Sequence, residues 1–236
     1  MNSSKKSILN SNFTYLAAFV LPVIMMMALY YTRGIFPWGN ECYLRSDMYH
    51  QYAPFFSELW HKIRNGESLT YSWNIGMGTN FTSLFAYYLA SPSNWFVALF
   101  PQKYTIEIMN AFIILKIAGS SLSLTYYLTK HNNNKHVIAA IFYGMSGFIA
   151  AYSWNIMWLD CVILIPLIML GLERLVNENR CIFYCITLGL CIFTNYYIAI
   201  MVCLSVVIYY VVLMIAYNGL CIFTACRWTG SVSSSA

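Results

Sequence analysis

The class of this protein is decided by its first long apolar stretch, FTYLAAFVLPVIMMMALYY, at residues 13–31. The stretch carries no charged side chain, and about 20 apolar residues are what an α-helix needs to cross a bilayer. Lys5 and Lys6 precede it and no small-x-small cleavage site follows, so an uncleaved first transmembrane helix is favoured over a signal peptide. Pro22 inside the stretch predicts a kink or local unwinding.

The composition is that of a membrane protein along the whole chain. Apolar residues make up 60% of the 236 and charged residues only 9%, whereas soluble domains carry about 25% charged residues. The net charge is +5, but no run of five basic residues occurs. The basic residues therefore indicate membrane orientation and not nucleic-acid binding. Most of the eight cysteines lie in or beside apolar runs and none forms a Cys-x-x-Cys pair, which argues against a metal site.

The rest of the chain divides into a polar loop, residues 32–103, and further apolar segments. Within the loop, apolar side chains at helical spacing over 47–64 predict an amphipathic helix lying against the membrane surface. A Gly-rich turn follows at 73–78, and the break at Ser91–Asn94 divides the apolar stretch 81–100 into two short re-entrant or surface helices. Further spans are predicted at about 104–128, 137–153, 158–175, 181–195 and 197–217.

Basic residues fall in alternate short connections between these spans, at Lys5/Lys6, Lys130/Lys135 and Arg174/Arg180. Because Lys and Arg are enriched in cytoplasmic loops, we predict a cytoplasmic N-terminus (1–12) and an external polar loop. Spans two to six would occupy 104–217. Helical patterning is lost after Tyr217, so residues 218–236 are expected to form an atypical tail of a partial chain.

Asp47 and Lys116 are the first two candidates for chemistry. Asp47 lies shortly after the first span, where a carboxylate can deprotonate a hydroxyl or bind a metal ion. Ser46 and Asp47 would equally suit the start of a helix. Lys116 lies well inside a predicted span, where a charge is costly and marks a functional site by default. It can pair with Glu107 or Asp160, hold a lipid phosphate, or extend to the interface.

Other polar and aromatic residues gather at the predicted outer ends of the spans. Asp160 begins a helix, where helix capping and function compete as explanations. Trp154 and Trp158, which precede it, fit the aromatic belt of a membrane interface. The triplet Asn195–Tyr197 either belongs to that belt or lines a site facing the loop.

A series of short motifs runs in order across residues 15–217 and resembles the YfhO-like family of bacterial membrane proteins. The motifs are Ser46-Asp47 with Gln51-Tyr52-Ala53-Pro54-Phe55-Phe56, Trp73-Asn74-Ile75-Gly76-Met77-Gly78, Leu115-Lys116, and Trp158-Leu159-Asp160 followed by Pro166-Leu167 and Gly171-Leu172-Glu173-Arg174.

The predicted spans give an all-α polytopic membrane protein with about six transmembrane helices, and the resemblance implies that it is similar to lipid-dependent glycosyltransferases of the GT-C type. In those enzymes an external first loop bears a catalytic acidic residue. Carried over by position, Asp47 is the base that activates the acceptor hydroxyl. The implied substrate-binding residues are Lys116, for the donor phosphate, with Asp160, Arg45 and Tyr52.

The same resemblance implies the partners. They are a polyprenyl-phosphate-linked sugar donor, lipoteichoic acid or another envelope glycopolymer, and the lipid bilayer, with no nucleic acid. No cofactor is indicated by a motif, and a divalent metal is left open. Family members are longer, so this chain is expected to be the N-terminal part of such an enzyme and to be inactive alone if the donor groove is incomplete.

Two other functions remain open. A transporter or flippase of an envelope precursor would use Lys116 and Asp160 as an intramembrane ion or proton pair, although no inverted repeat is visible. A non-catalytic assembly factor would tolerate neutral replacement of Asp47.

Overall fold

The computed structural model describes residues 2–43, 47–132 and 136–229, and most of this length is helical. The α-helices are α1 (Asn2–Thr32), α2 (Ala53–Asn65), α3 (Phe81–Leu84), α4 (Thr105–Asn132), α5 (Val137–Gly144), α6 (Gly147–Tyr152), α7 (Leu159–Glu178), α8 (Ile182–Thr194) and α9 (Tyr196–Thr229).

The polar loop contains shorter elements between α1 and α4. A π-helical turn, Met48–Tyr52, leads into α2, and a second, Phe85–Leu89, continues α3. Two 3-10 helices, Pro92–Leu99 and Gln102–Tyr104, complete the approach to α4. The two short helices predicted within 81–100 are therefore present. The antiparallel strands β1 (Tyr71–Ser72) and β2 (Thr79–Asn80) enclose the predicted Gly-rich turn.

Three helical stretches are long and apolar enough to cross a membrane: Asn12–Thr32, Gln102–His131 and Tyr196–Ala216. They support a membrane protein, as the sequence predicted. The remaining predicted spans fall on shorter or more polar helices. A helix of the length of α8 rises about 20 Å, less than the roughly 30 Å hydrocarbon core. About six spans were predicted, and the described residues contain three that qualify by length and composition.

Three details differ from the sequence predictions. The segment predicted as one span at 137–153 is two helices, α5 and α6, separated by Met145 and Ser146. The sequence predicted an atypical tail without helical patterning after Tyr217, whereas α9 continues to Thr229. No local unwinding accompanies Pro22, because α1 runs through it without interruption.

The helix α4 forms the centre of the bundle. Of its candidate span 72% is buried inside the protein, against 22% for the span in α1 and 17% for that in α9. It packs against α1, α5 and α7, and α7 packs in turn against α8. Since α1 and α9 leave most of their apolar surface uncovered, these two helices are suited to contact lipid.

The apolar face of α2 packs against the protein and not only against a membrane surface. Phe56 and Leu59 are fully buried, and they belong to one core cluster with Met109 and Ile113 of α4. The sequence identified the face correctly but assigned it to the membrane surface. Periodicity shows which side of a helix is apolar and cannot show whether lipid or protein covers it.

A buried ion pair of α2 fixes the hairpin β1–β2 to the bundle. The side chains of Glu58 and Lys62 are almost inaccessible and lie 3.7 Å apart. Ser72 donates a 2.6 Å hydrogen bond to Glu58, Asn74 donates one of 3.0 Å, and Lys62 donates 2.8 Å to the Tyr71 carbonyl. The charges of the pair are thereby satisfied within the loop.

We expect Gly171→Ala to destabilise the contact between α7 and α8. A Cβ atom at Gly171 would lie 2.8 Å from Cα and 3.0 Å from N of Tyr184, and such overpacking costs about 1–3 kcal/mol. Thermal unfolding in detergent measures the effect. The matched control is Gly189→Ala on α8, where a Cβ meets nothing within 4 Å. Equal melting temperatures for both variants would contradict the close helix contact.

Candidate functional site

The connection between α6 and α7 contacts both the polar loop and the membrane helices, and together with the first two residues of α7 it forms the segment 153–160, called the 153–160 connection below. Its last residue, Asp160, accepts a 2.7 Å hydrogen bond from Nζ of Lys116. Lys116 also donates to the Ile156 carbonyl at 3.2 Å and lies 3.5 Å from the hydroxyl of Ser91. An ammonium group has three donors, so the buried Lys116 charge is satisfied within the protein. Of the alternatives for Lys116, pairing with Asp160 is the one the structure contains.

Two tyrosines of the polar loop form hydrogen bonds with the N-terminal part of this connection. Tyr43 shares a 2.5 Å hydrogen bond with Ser153, and Tyr52 donates one of 2.6 Å to Oδ1 of Asn155. The Tyr52 ring also stacks on Trp154, with ring centroids 6.3 Å apart. Burial is the main cause that raises the pKa of Tyr52, so its hydroxyl stays protonated and donates at neutral pH.

Aromatic side chains from the loop and from the start of α9 form one continuous wall. Tyr88 contacts the ring of Tyr52 at 5.4 Å, and Tyr87 contacts the ring of Tyr196 at 5.6 Å. Asn195 donates a 3.1 Å hydrogen bond to the Tyr87 carbonyl. The triplet at Asn195 therefore contacts the loop. We call this set the aromatic wall, and its members are Tyr52, Tyr87, Tyr88, Trp154, Tyr196 and Tyr197.

Asp47 lies at the start of the first π-helical turn, beside the aromatic wall. Its side chain makes no capping hydrogen bond, so the simple explanation by helix capping receives no support. Burial is the largest cause that raises the pKa of Tyr52 and of Tyr88, and the negative charge of Asp47 adds to it in both. Among the residues the structure describes, the Asp47 carboxylate has no hydrogen-bond or ion-pair partner.

Two buried donors of the 153–160 connection lack acceptors in the described part of the chain. They are Nδ2 of Asn155 and Nε1 of Trp158. A buried donor left unpaired costs about 1–3 kcal/mol, so such atoms call for a specific explanation. Together, a carboxylate without a partner in the described ranges, aromatic faces and unpaired donors suit a ligand rich in hydroxyl groups.

The remaining sequence predictions have different outcomes. Arg45, predicted to bind substrate, lies outside the described residues. No group of three or more His, Cys, Asp or Glu side chains that could hold a metal ion occurs within the described ranges. The open option of a divalent metal thus stays a prediction.

Sequence reasoning did not single out Asn155 or Tyr88 as members of the site. Both are polar side chains in apolar and aromatic surroundings, and Asn155 directly follows Trp154 in a short connection. A polar residue placed beside the interfacial aromatics is the signal that could have identified Asn155. Tyr88, whose hydroxyl donates to Gln51 at 3.1 Å, offers no comparable signal because tyrosine is common at membrane interfaces.

Tyr52→Phe is expected to lower the melting temperature by removing the donor to Asn155. The hydroxyl and its acceptor are buried, and an unpaired buried acceptor costs about 1–3 kcal/mol. Tyr49→Phe is the matched control, since Tyr49 is 61% exposed. If both variants melt at the wild-type temperature, the Tyr52–Asn155 bond does not hold the loop on the connection.

Comparison with known proteins agrees with the sequence motifs. The family model described as bacterial membrane protein YfhO matches residues 17–234. No curated protein and no solved structure matches the chain. The family match covers most of the chain, including Asp47, Lys116 and Asp160, so the chain belongs to the YfhO family of bacterial membrane proteins.

Proposed function

We propose that this protein is a membrane glycosyltransferase. It moves a sugar from a polyprenyl-phosphate donor to a cell-envelope acceptor, such as lipoteichoic acid, on the outer face of the membrane. The observation that carries the proposal is the carboxylate of Asp47, which has no partner among the described residues and lies beside the aromatic wall. A general base must be free to accept a proton at the reacting hydroxyl.

In the proposed reaction the acceptor hydroxyl attacks the anomeric carbon of the donor sugar. Asp47 takes the hydroxyl proton as the new carbon–oxygen bond forms. The bond between the anomeric carbon and the phosphate oxygen breaks, and polyprenyl phosphate leaves with the bonding electrons. The aromatic wall and the unpaired donors of Asn155 and Trp158 would hold the sugar and acceptor in the orientation that this attack needs.

The other predicted substrate-binding residues receive more limited roles. Lys116 and Asp160 position the 153–160 connection through their ion pair, and Tyr52 positions Asn155. Arg45 is proposed to contact substrate, next to Asp47 in the chain.

The proposal includes about six spans, a cytoplasmic N-terminus and an external loop at 32–103. The orientation is supported by the basic residues at Lys5/Lys6, Lys130/Lys135 and Arg174/Arg180, and the number of spans by the direction of the central helices. Lys116 and then Tyr127 of α4 meet Asp160 and then Glu173 of α7, so both helices run the same way. For two parallel helices of one chain to cross the membrane, a segment between them must cross it in the opposite direction. In the sequence, α5 and α6 lie between α4 and α7.

Transport of a lipid-linked precursor is the second candidate function. The Lys116–Asp160 pair favours it, because buried ion pairs in membrane helices often mark proton or ion pathways. The glycosyltransferase is preferred because the ion pair leaves the Lys116 charge satisfied, whereas the Asp47 carboxylate has no partner among the residues that the structure describes.

Cells that lack the protein distinguish the two candidate functions, transferase and transporter. We would quantify sugar on lipoteichoic acid, and lipid-linked sugar in each leaflet, in a strain without its own copy and after restoring this chain. Loss of sugar with donor accumulating in the outer leaflet is expected for the transferase. Donor accumulating in the inner leaflet would instead identify a flippase, and unchanged lipoteichoic acid would contradict both.

A further inference from the structure

A cavity of about 640 Å³ lies between α1, α4 and the α5–α6 pair. This volume is within the range of about 300–1,000 Å³ that is typical of small-molecule sites. One part of its lining is apolar and the other polar. The apolar part includes Met26, Leu29, Ile117, Met145 and Ile149.

The polar part of the lining contains a cation and a hydroxyl that have no ion-pair or hydrogen-bond partner among the described side chains. Arg33 and Tyr30 both face the cavity. The Tyr30 side chain is 2% exposed, and its hydroxyl has no hydrogen-bond partner within the described residues. Arg33 is an exposed side chain, and its guanidinium, with five donors, forms no ion pair in the described part of the chain. The negative end of the α1 dipole explains a cation at Arg33, but it does not explain the unpaired donor beside it.

The backbone next to the cavity is also irregular. The break between α5 and α6 falls at Met145, which lines the cavity together with Gly144. At membrane depth, non-helical backbone is tolerated where it is buried in protein or lines a polar space. The break is thus explained if this region encloses a site and is not simply packed against lipid.

We propose that this cavity binds a lipid phosphate. The phosphate accepts hydrogen bonds from Arg33 and from the Tyr30 hydroxyl, and the hydrocarbon tail follows the apolar lining toward the bilayer. Arg33 suits this ligand because its planar fork can bind two phosphate oxygens at once. That the tail is polyprenyl rests on the proposed function. The donor phosphate would then be bound by Arg33 and not by Lys116.

The other polar residues of the lining and the position of the cavity agree with this assignment. Glu41 lines the same cavity, and its carboxylate can accept hydrogen bonds from sugar hydroxyls carried by the phosphate. Ser153, which also lines the cavity, bonds to Tyr43 and begins the 153–160 connection. The lipid cavity and the aromatic wall are therefore linked through one short segment, as a donor delivered to Asp47 requires.

The test uses Cys42, an exposed thiol that lines the cavity. The full chain would be purified in a phosphate-free maltoside detergent, and the rate of Cys42 alkylation followed by peptide mass spectrometry. Polyprenyl phosphate is expected to slow alkylation. Arg33→Gln should raise the concentration for half-protection by about 10- to 100-fold, and Tyr30→Phe by about 3- to 10-fold. Arg180→Gln, a charge change at an exposed residue paired with Glu178, should leave it unchanged.

Two further probes identify which part of the ligand is recognised. Inorganic phosphate and neutral polyprenol are each expected to protect Cys42 far more weakly than polyprenyl phosphate. Equal protection by phosphate alone would contradict the lipid site, and equal protection by polyprenol would contradict phosphate recognition. An unchanged half-protection in Arg33→Gln would overturn the assignment.

Binding and transfer can fail separately in these experiments. Protection as expected without any sugar transfer would contradict the proposed function and leave the lipid phosphate site in place. Normal transfer by the Arg33→Gln variant, with unchanged half-protection, would contradict the site and leave the proposed function in place.

Discussion

Asp47→Asn is expected to lower sugar transfer by about 100- to 10,000-fold, the usual contribution of a general base. Asparagine keeps the size of the side chain but cannot accept the hydroxyl proton. Because the Asp47 carboxylate makes no hydrogen bond or ion pair with the described residues, the substitution should leave the melting temperature and the membrane level unchanged. Transfer is measured as sugar on lipoteichoic acid at equal protein levels.

The control for this experiment is Glu178→Gln, which removes a carboxylate that is half exposed and lies 3.5 Å from Arg180. Its transfer rate should equal that of wild type. If Asp47→Asn also transfers normally, Asp47 is not the base, and an assembly factor that tolerates the neutral residue becomes the better account.

Lys116→Met is expected to destabilise the protein by about 3–5 kcal/mol, because it leaves the Asp160 carboxylate without its buried partner. The two groups lie 2.7 Å apart, with 5% and 14% of their side chains exposed. Thermal unfolding in detergent gives the measurement. The double variant Lys116→Met/Asp160→Leu removes both charges and should recover most of the lost stability, as replacement of buried pairs by apolar residues often does.

The double variant also separates the two candidate functions. A positioning pair can be replaced by apolar side chains, so the folded double variant should retain sugar transfer. A proton or ion pathway needs the charges themselves. A stable double variant without any transfer or precursor movement would therefore contradict the positioning role of Lys116 and Asp160.

The sequence predicted the fold best where a long apolar stretch or a clear helical spacing of apolar residues determines the structure. The helix at 13–31 and the apolar face of α2 follow from composition and spacing alone. The break at Met145 was missed because 137–153 is mostly apolar and contains no charged residue, although Ser146 and Gly147 are residues that often end helices. The length of α9 beyond Tyr217 was missed because weak helical patterning does not by itself end a helix.

The site was predicted less completely, since its contacts join residues far apart in the chain. Lys116 and Asp160 are 44 positions apart, and Tyr52 and Asn155 are 103 apart. The sequence shows where each charged residue lies in the chain. It does not show whether Lys116 pairs with Glu107 or with Asp160. The cavity beside Arg33 and Tyr30 is formed by several helices together, so nothing in the local sequence indicates it.

The most direct test of the account is transfer by the purified full chain in liposomes. Polyprenyl phosphate bearing a radiolabelled hexose would be placed in the membrane, with lipoteichoic acid as acceptor and several hexoses tried in turn. The account predicts that label from at least one donor moves to lipoteichoic acid with wild type and not with Asp47→Asn. Equal transfer by both proteins would contradict a glycosyltransferase that uses Asp47 as its base, and no transfer by wild type with any donor would contradict transferase activity of this chain by itself.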